Sequence, residues 1–344
     1  MKKIILLVVV LIGLLLSVYF VWPKGSGYND TFATVEHTQF AVDKPLEVLS
    51  RIFLVDRAGN QALFERQADD SWLYTNKATG KTYRPAPNAF RNMIETLQNI
   101  RARNKVPNAS VKSVLRGIAT IGIKVELYDR KNKLIRTYYV GGPADGGQGT
   151  FAIVDGAEIP YVVYIPHFAG SIDTRYTAKE VNLRDKAFVR VNAKDIEMVQ
   201  VEYFDPVQRP YSFKIEQQGN KADIEPLYAT KSDAKVKKDH IDIYLKDFET
   251  IAAEAIIYEP TIRDSILNTS PFAKVTYKTK KAKATNSFTL FPLFNPNFDR
   301  GDGKPGLRQR ITRYYIDAGE DNFMLGQELV IQKLLRPYDF FLEQ

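Results

Sequence analysis

A chain of 344 residues is longer than one ordinary hydrophobic core and suits two domains of about 150 residues. Its 44% hydrophobic content, with 20 Phe and 19 Tyr, excludes a disordered polymer and leans towards sheet; its lack of cysteine excludes disulfides, thiolate metal sites, cysteine nucleophiles and lipoprotein acylation. The net charge of +8 speaks to solubility, and to anionic headgroups or acidic glycans rather than nucleic acid, because the first element places the bulk of the chain outside the cytoplasm.

That first element is Ile4–Trp22, an apolar run after Lys2 and Lys3 and before Pro23-Lys24-Gly25-Ser26-Gly27. As a helix it spans about 28 Å at ~1.5 Å per residue, close to the ~30 Å hydrocarbon thickness of a bilayer. It is apolar on every side, unlike a surface helix of a soluble domain. The two lysines favour a cytoplasmic N-terminus, and Tyr19 and Trp22 suit the outer interface. The expected partner is therefore the lipid bilayer, through residues 4–22. A cleaved signal peptide is the alternative, with Gly25-Ser26-Gly27 as the small-residue run, although such peptides have shorter apolar cores of ~7–15 residues.

Residues 1–27 thus read as cytoplasmic start, anchor and linker, residues 28–186 as a first α+β module, and residues 187–344 as a second. In the first, Arg51–Asp56 and Gln61–Arg66 flank Arg57-Ala58-Gly59-Asn60 as a hairpin, and Trp72–Thr75 adds a third strand after Asp69-Asp70-Ser71. A helix over Pro87–Arg101 has Phe90, Met93, Ile94, Leu97 and Ile100 on one stripe, with prolines at its start. A short polar helix is expected over Ser110–Arg116. Strands follow at Ile121–Tyr128, Leu134–Val140, Thr150–Val154 and Tyr161–Ile165, and His167–Thr174 reads as a closing helical turn.

The same order returns in the second half. Phe40–Asp56 parallels Phe188–Asp205, Tyr211–Gln217 answers Gln61–Arg66, and a second amphipathic helix is expected over Asp239–Ala255. Strands are expected at Ala273–Thr279, Ser287–Leu293, Gln309–Ile316 and Glu328–Lys333. The spacings between equivalent elements are nearly equal, which predicts two copies of one module: a hairpin, a helix and an antiparallel meander.

Several stretches have the look of chemistry. Gly141–Gly149 (GGPADGGQG) is glycine-rich but lacks the lysine and Ser/Thr of a phosphate loop, and a strand follows it, so it reads as a connection. Asn297–Gly303 resembles a calcium loop with its ligand spacing broken at Gly301, so it reads as a solvated turn. Ser232-Asp233-Ala234-Lys235 matches Ser-x-x-Lys without the companion motifs. His37, His167 and His240 stand alone, with His240 expected at the surface. Asp69-Asp70 and Glu320-Asp321 read as solvated turns rather than acid/base pairs. Lys274, Lys278, Lys280, Lys281 and Lys283 form a basic run, read as a lysine-guarded edge strand or a headgroup-binding edge. No catalytic, cofactor-binding or metal-binding residue is assigned.

The whole pattern resembles a family of bacterial envelope proteins catalogued as domain of unknown function 4340. The residues that carry the likeness are the N-terminal anchor, Asp70-Ser71-Trp72, the proline-led helix Pro87–Ile100, and Gly117-Ile118. Tyr139-Val140-Gly141-Gly142, Phe151-Ala152-Ile153, Tyr161-Val162-Val163-Tyr164 and Leu183-Arg184-Asp185-Lys186 continue it. It covers about Arg51 to Asp205, with a looser echo beyond. The resemblance implies a single-pass bacterial inner-membrane protein with a periplasmic bulk, encoded beside an ABC-type exporter and its gliding-type auxiliary subunit. The functional expectation is a non-enzymatic scaffold or accessory subunit of such a transporter. The alternatives are an extracytoplasmic binding module for glycan, lipid or peptide, with Tyr138-Tyr139 or Tyr314-Tyr315 as a stacking platform, and a hydrolase with a scattered site.

Overall fold

The structure is a computed structural model that describes residues 40–147, 149–218, 221–295 and 310–343. The expected anchor at residues 4–22, His37 and the turn Asn297–Gly303 lie outside the described residues. Among the described residues no helix is long and apolar enough to cross a membrane. The fold is α+β with antiparallel sheets, and the chain divides into two compact units between Asp185 and Lys186.

The first unit runs α1 (Pro45–Val48), β1 (Leu49–Val55), β2 (Gln61–Arg66), β3 (Trp72–Asn76), β4 (Thr82–Tyr83), α2 (Pro87–Asn99), β5 (Arg101–Lys105), α3 (Asn108–Ile121), β6 (Ile123–Asp129), β7 (Leu134–Pro143), β8 (Thr150–Val154), β9 (Tyr161–Tyr164) and α4 (Glu180–Leu183). Its strands form one sheet in the order β4-β3-β2-β1-β6-β7-β8-β9-β5. The hairpin between β1 and β2 closes because the Asp56 carboxylate accepts from Ala58 N (3.0 Å), Asn60 N (2.9 Å) and Asn60 Nδ2 (2.7 Å). Alternation along β1 sends Leu49, Ile52 and Leu54 into the core. The α2 stripe of Met93, Ile94 and Leu97 covers that face, with Phe90 against Phe64 (5.6 Å) and Trp72 (5.3 Å).

The second unit runs β10 (Ala187–Arg190), β11 (Ile196–Tyr203), β12 (Phe213–Gln218), β13 (Lys221–Pro226), α5 (Lys238–Asp247), β14 (Thr250–Ala252), β15 (Ala255–Ile256), α6 (Pro260–Leu267), β16 (Ala273–Thr279), β17 (Asn286–Asn295), β18 (Arg310–Asp317), β19 (Phe323–Gln327) and α7 (Glu328–Ile331). Its main sheet has the order β13-β12-β11-β16-β17-β18-β19-β15, and β10 pairs with β14. Apart from β4, the two sheets share one strand order. The likeness extends to irregularities: β1 bulges against β6 between Leu49 and Arg51, and β11 against β16 between Ile196 and Met198. In the first bulge the Ser50 hydroxyl donates to the Asp129 carbonyl.

Several expected elements are corrected. The helix over Pro87–Arg101 stops at Asn99, because Arg101–Lys105 turns extended and pairs with β9. The short helix over Ser110–Arg116 is the longer α3. It packs on the face opposite the core: Val140 points inwards, so Gly141 points out, towards Ile118. The helix over Asp239–Ala255 stops at Asp247, and Thr250–Ala252 becomes the strand that pairs with β10. Phe248 and Ile251 are buried all the same, so the apolar stripe runs on past the helix end. The strand over Glu328–Lys333 is the short helix α7, and the last strand is Phe323–Gln327 instead. Each unit therefore holds more than a hairpin, one helix and a meander. A strand after the first helix (β5, β15) pairs with the last meander strand and satisfies its outer edge, and a second helix follows.

Gly149 marks a close approach in the first unit. Its φ is +141°, and a Cβ there would stand 2.3 Å from the Val163 carbonyl oxygen. Gly59 has φ +87° but open space around it. Gly149→Ala should cost about 3 kcal/mol and Gly59→Ala about 1 kcal/mol, read as shifts of the urea midpoint. Equal losses at the two positions would contradict the close approach.

Candidate functional site

The structure gives each chemical-looking stretch a place. Gly141 and Gly142 belong to β7, where Cβ atoms would meet Ile118 Cγ1 at 2.7 Å and Ile121 Cδ1 at 3.1 Å. They admit α3 to the sheet. Ser232 accepts from Ala234 N (3.1 Å), while Lys235 pairs with Glu343 (3.1 Å). Asp69 accepts from Ser71 N and Oγ (3.1 and 2.6 Å), which holds its carboxyl below the usual range. Asp70 pairs with Arg66 (2.7 Å). Glu320 and Asp321 sit in the turn between β18 and β19.

Three expectations change. The lysine run is not on an edge: β16 lies between β11 and β17, Lys278 pairs with Glu197 (2.9 Å), and Lys280 Nζ donates to the Lys194 carbonyl (2.5 Å). His240 is half-buried rather than at the surface, with Nδ1 2.8 Å from the Phe340 carbonyl and its ring 4.6 Å from that of Phe340. His167 stands in a left-handed turn (φ +63°). Neither tyrosine pair is a platform, since neighbours on a strand point to opposite faces. Tyr138 is fully buried and shares a 3.0 Å hydrogen bond with Tyr176, while Tyr139 donates to Asp155 (3.2 Å). Tyr315 stacks on Phe323 at 5.6 Å, and Tyr314 points inwards. Among the described residues no group of three or more His, Asp or Glu could hold a metal.

The second unit carries a concave surface: a cleft of about 360 Å³ whose aromatic lining is Tyr203, Tyr211, Phe272 and Tyr314. Three of these rings interlock. Phe272 lies edge-on to Tyr203 (5.9 Å) and tilted against Tyr314 (5.7 Å). Tyr203 ends β11; its amide donates to Ser212 Oγ (2.9 Å) and its hydroxyl to the Arg336 carbonyl (3.0 Å). The intervening loop is folded by Asp205, whose carboxylate accepts from Val207 N (2.9 Å) and Gln208 N (3.2 Å). That fold presents Gln208 and Tyr211 at one rim. The segment after α7 forms the other, with Gln332 and Asp339, and the Tyr244 hydroxyl fixes it by donating to the Leu334 carbonyl (3.1 Å).

Burial pushes the Tyr203 and Tyr314 phenols above their ordinary value, so both hold their protons. Tyr314's hydroxyl has no partner among the described residues, and the same holds for the side-chain polar groups of Gln208, Tyr211 and Asp339. The arrangement can bind by apolar contact and hydrogen bonding. Among its lining residues there is no nucleophile held by a base. Sequence reasoning named only Tyr314 of this set. The other residues are far apart in the chain and share no motif; the loop Asp205–Ser212 carried the one signal, an aspartate at a turn start. Comparison with family models, curated proteins and solved structures finds no match for the chain.

Burial also raises the phenols of Tyr138, Tyr176 and Tyr244. In the unfolded chain these groups ionise near 10. Their contribution to stability is therefore whole below about pH 10 and is lost as pH rises through their folded values. In an alkaline titration followed by tyrosinate absorbance and circular dichroism, these phenols should ionise only together with loss of the fold. Their ionisation near pH 10 in a still folded chain would contradict the burial.

Proposed function

We propose that this chain is a non-enzymatic, single-pass envelope protein: an inner-membrane anchor at residues 4–22 followed by two copies of one α+β module. Outside the membrane it serves as an adaptor or accessory subunit of an ABC-type transporter, and the second module's cleft is where it recognises a partner or ligand. The observation that carries the recognition role is that cleft, walled by interlocked rings and rimmed by Gln208, Tyr211 and Asp339, whose side-chain polar groups no described residue engages. The shared strand order and the matching bulges support the duplication. The apolar run after Lys2 and Lys3 supports the anchor.

The transporter setting rests on the family resemblance, whose motifs serve the fold. Leu183 is in the core, and Arg184 is buried over Tyr83 (3.9 Å) beside Glu180 (3.3 Å). Lys186 Nζ donates to the Glu254 carbonyl (2.9 Å). These roles fit a family defined by architecture rather than by a reaction.

The test is affinity capture of the full chain from detergent-solubilised membranes. Transporter subunits should co-purify, and removal of residues 1–27 should release the chain from the membrane and abolish their capture. Recovery of the intact chain from the cytosolic fraction, or capture with no transporter subunit, would overturn this reading.

A further inference from the structure

The strand registers of the two units can be laid over each other. Tyr203 faces Ala273, and Leu290 faces both Ala273 and Ile316. In the first unit, Val140 faces Ile123 and Ala152 in the same way. Followed outwards, these pairings set Tyr203, Phe272 and Tyr314 where the first unit has Asp56, Gly122 and Thr150. At those places the first unit is occupied by its own contacts. Thr150 Oγ1 accepts from Ile172 N (2.7 Å), Asp56 ties the hairpin turn, and a Cβ on Gly122 would stand 2.3 Å from the Ile118 carbonyl oxygen. The interlocked rings are thus particular to the second unit, and the strand order they share with the first does not require them.

We propose that this cleft binds a neutral saccharide, with an apolar ring face against the aromatic wall and hydroxyls met by Gln208, Gln332, Asp339 and Tyr314. The inference rests on the recognition role proposed above and names its ligand class. Tyr211 is 38% exposed and offers a ring to pack against the C–H face of a sugar. The lining mixes acceptors and donors: the Asp339 carboxylate, the Gln208 amide, the Gln332 amide, whose Nε2 also donates to the Leu329 carbonyl (3.3 Å), and the Tyr314 phenol in the wall. A polyhydroxy ligand can satisfy all of them. A lipid chain would bury them unpaired, at a cost in affinity.

Charge narrows the class further. Asp339 opposes a phosphate or an acidic sugar. A proline-rich peptide needs an extended groove, at ~3.1 Å per residue. The cleft of about 360 Å³ is compact, at the low end of small-ligand sites.

The experiment uses the full chain in detergent. Saturation-transfer NMR and calorimetric titration are run with maltohexaose, cellohexaose, mannohexaose and hexa-N-acetylchitohexaose, with a proline-rich hexapeptide and a lysine hexapeptide as the other arms. At least one oligosaccharide should bind saturably. Tyr211→Ala, at the exposed rim, should weaken it by about tenfold with the melting temperature held, and Tyr314→Phe should weaken it by a smaller factor. Oligosaccharide binding that Tyr211→Ala leaves unchanged would overturn the proposal. If no oligosaccharide binds while the proline-rich or lysine peptide binds in a Tyr211-dependent manner, the saccharide is wrong and the recognition role stands. If no probe binds and Tyr211→Ala leaves capture of the transporter subunits unchanged, the cleft has no recognition role.

Discussion

A long antiparallel sheet has two faces, and this chain depends on keeping one of them dry. In the first unit the covered face is Leu49, Ile52 and Leu54 with Val125 and Leu127, all fully buried, under the stripe of α2. In the second it is Ile196, Val199 and Val201 with Val275, under α5 and the C-terminal segment that ends in Phe341 and Leu342. A buried apolar side chain of this size contributes about 1.5–3 kcal/mol, so the inner faces dominate what holds each unit together. Several buried phenols fit with their hydroxyls engaged: Tyr138 with Tyr176, Tyr244 with the Leu334 carbonyl, and Tyr203 with the Arg336 carbonyl.

That constraint decides what is left for function. Most strand residues that face inwards are committed to packing, and Gly141 and Gly142 of the glycine-rich stretch are committed to α3 on the opposite face. Loops and strand ends keep polar groups in reserve. The cleft forms beside such a place, where the end of β11 and Phe272 just before β16 meet the loop after β11 and the segment after α7, with Tyr314 of β18 behind them. Three of its rings, Tyr203, Phe272 and Tyr314, are held by one another, and Tyr203 also by the Arg336 carbonyl, so that part of the wall is fixed by the fold.

Much of the architecture is legible in residue patterns, and the misses have physical causes. Alternation along Leu49–Val55 and Ile196–Tyr203 marks strands, and the three-and-four spacing of Phe90, Met93, Ile94 and Leu97 marks a helix. Arg101–Lys105 reads RARNK, with no apolar alternation, because an edge strand of this sheet keeps most of its side chains in water. Phe248 and Ile251 prolong the α5 stripe in register although the chain has already left the helix, so periodicity alone overshoots. Glu328–Ile331 carries β-branched residues yet closes as a helical turn, whose Ile331 packs beside Gly326. The lysines of β16 look like an edge guard because sequence does not say which strand lies in the middle. The cleft escapes pattern reading altogether: its residues meet only through the sheet order, and no spacing records that.

The measurement closest to the central claim is native-state hydrogen exchange on the full chain, resolved by segment. The account predicts two separate protected centres, β1 with β6 and β11 with β16, each slower to exchange than every loop of its own unit. A chain in which either pair exchanged as fast as its neighbouring turns would contradict the claim that each unit is held by its own covered sheet face.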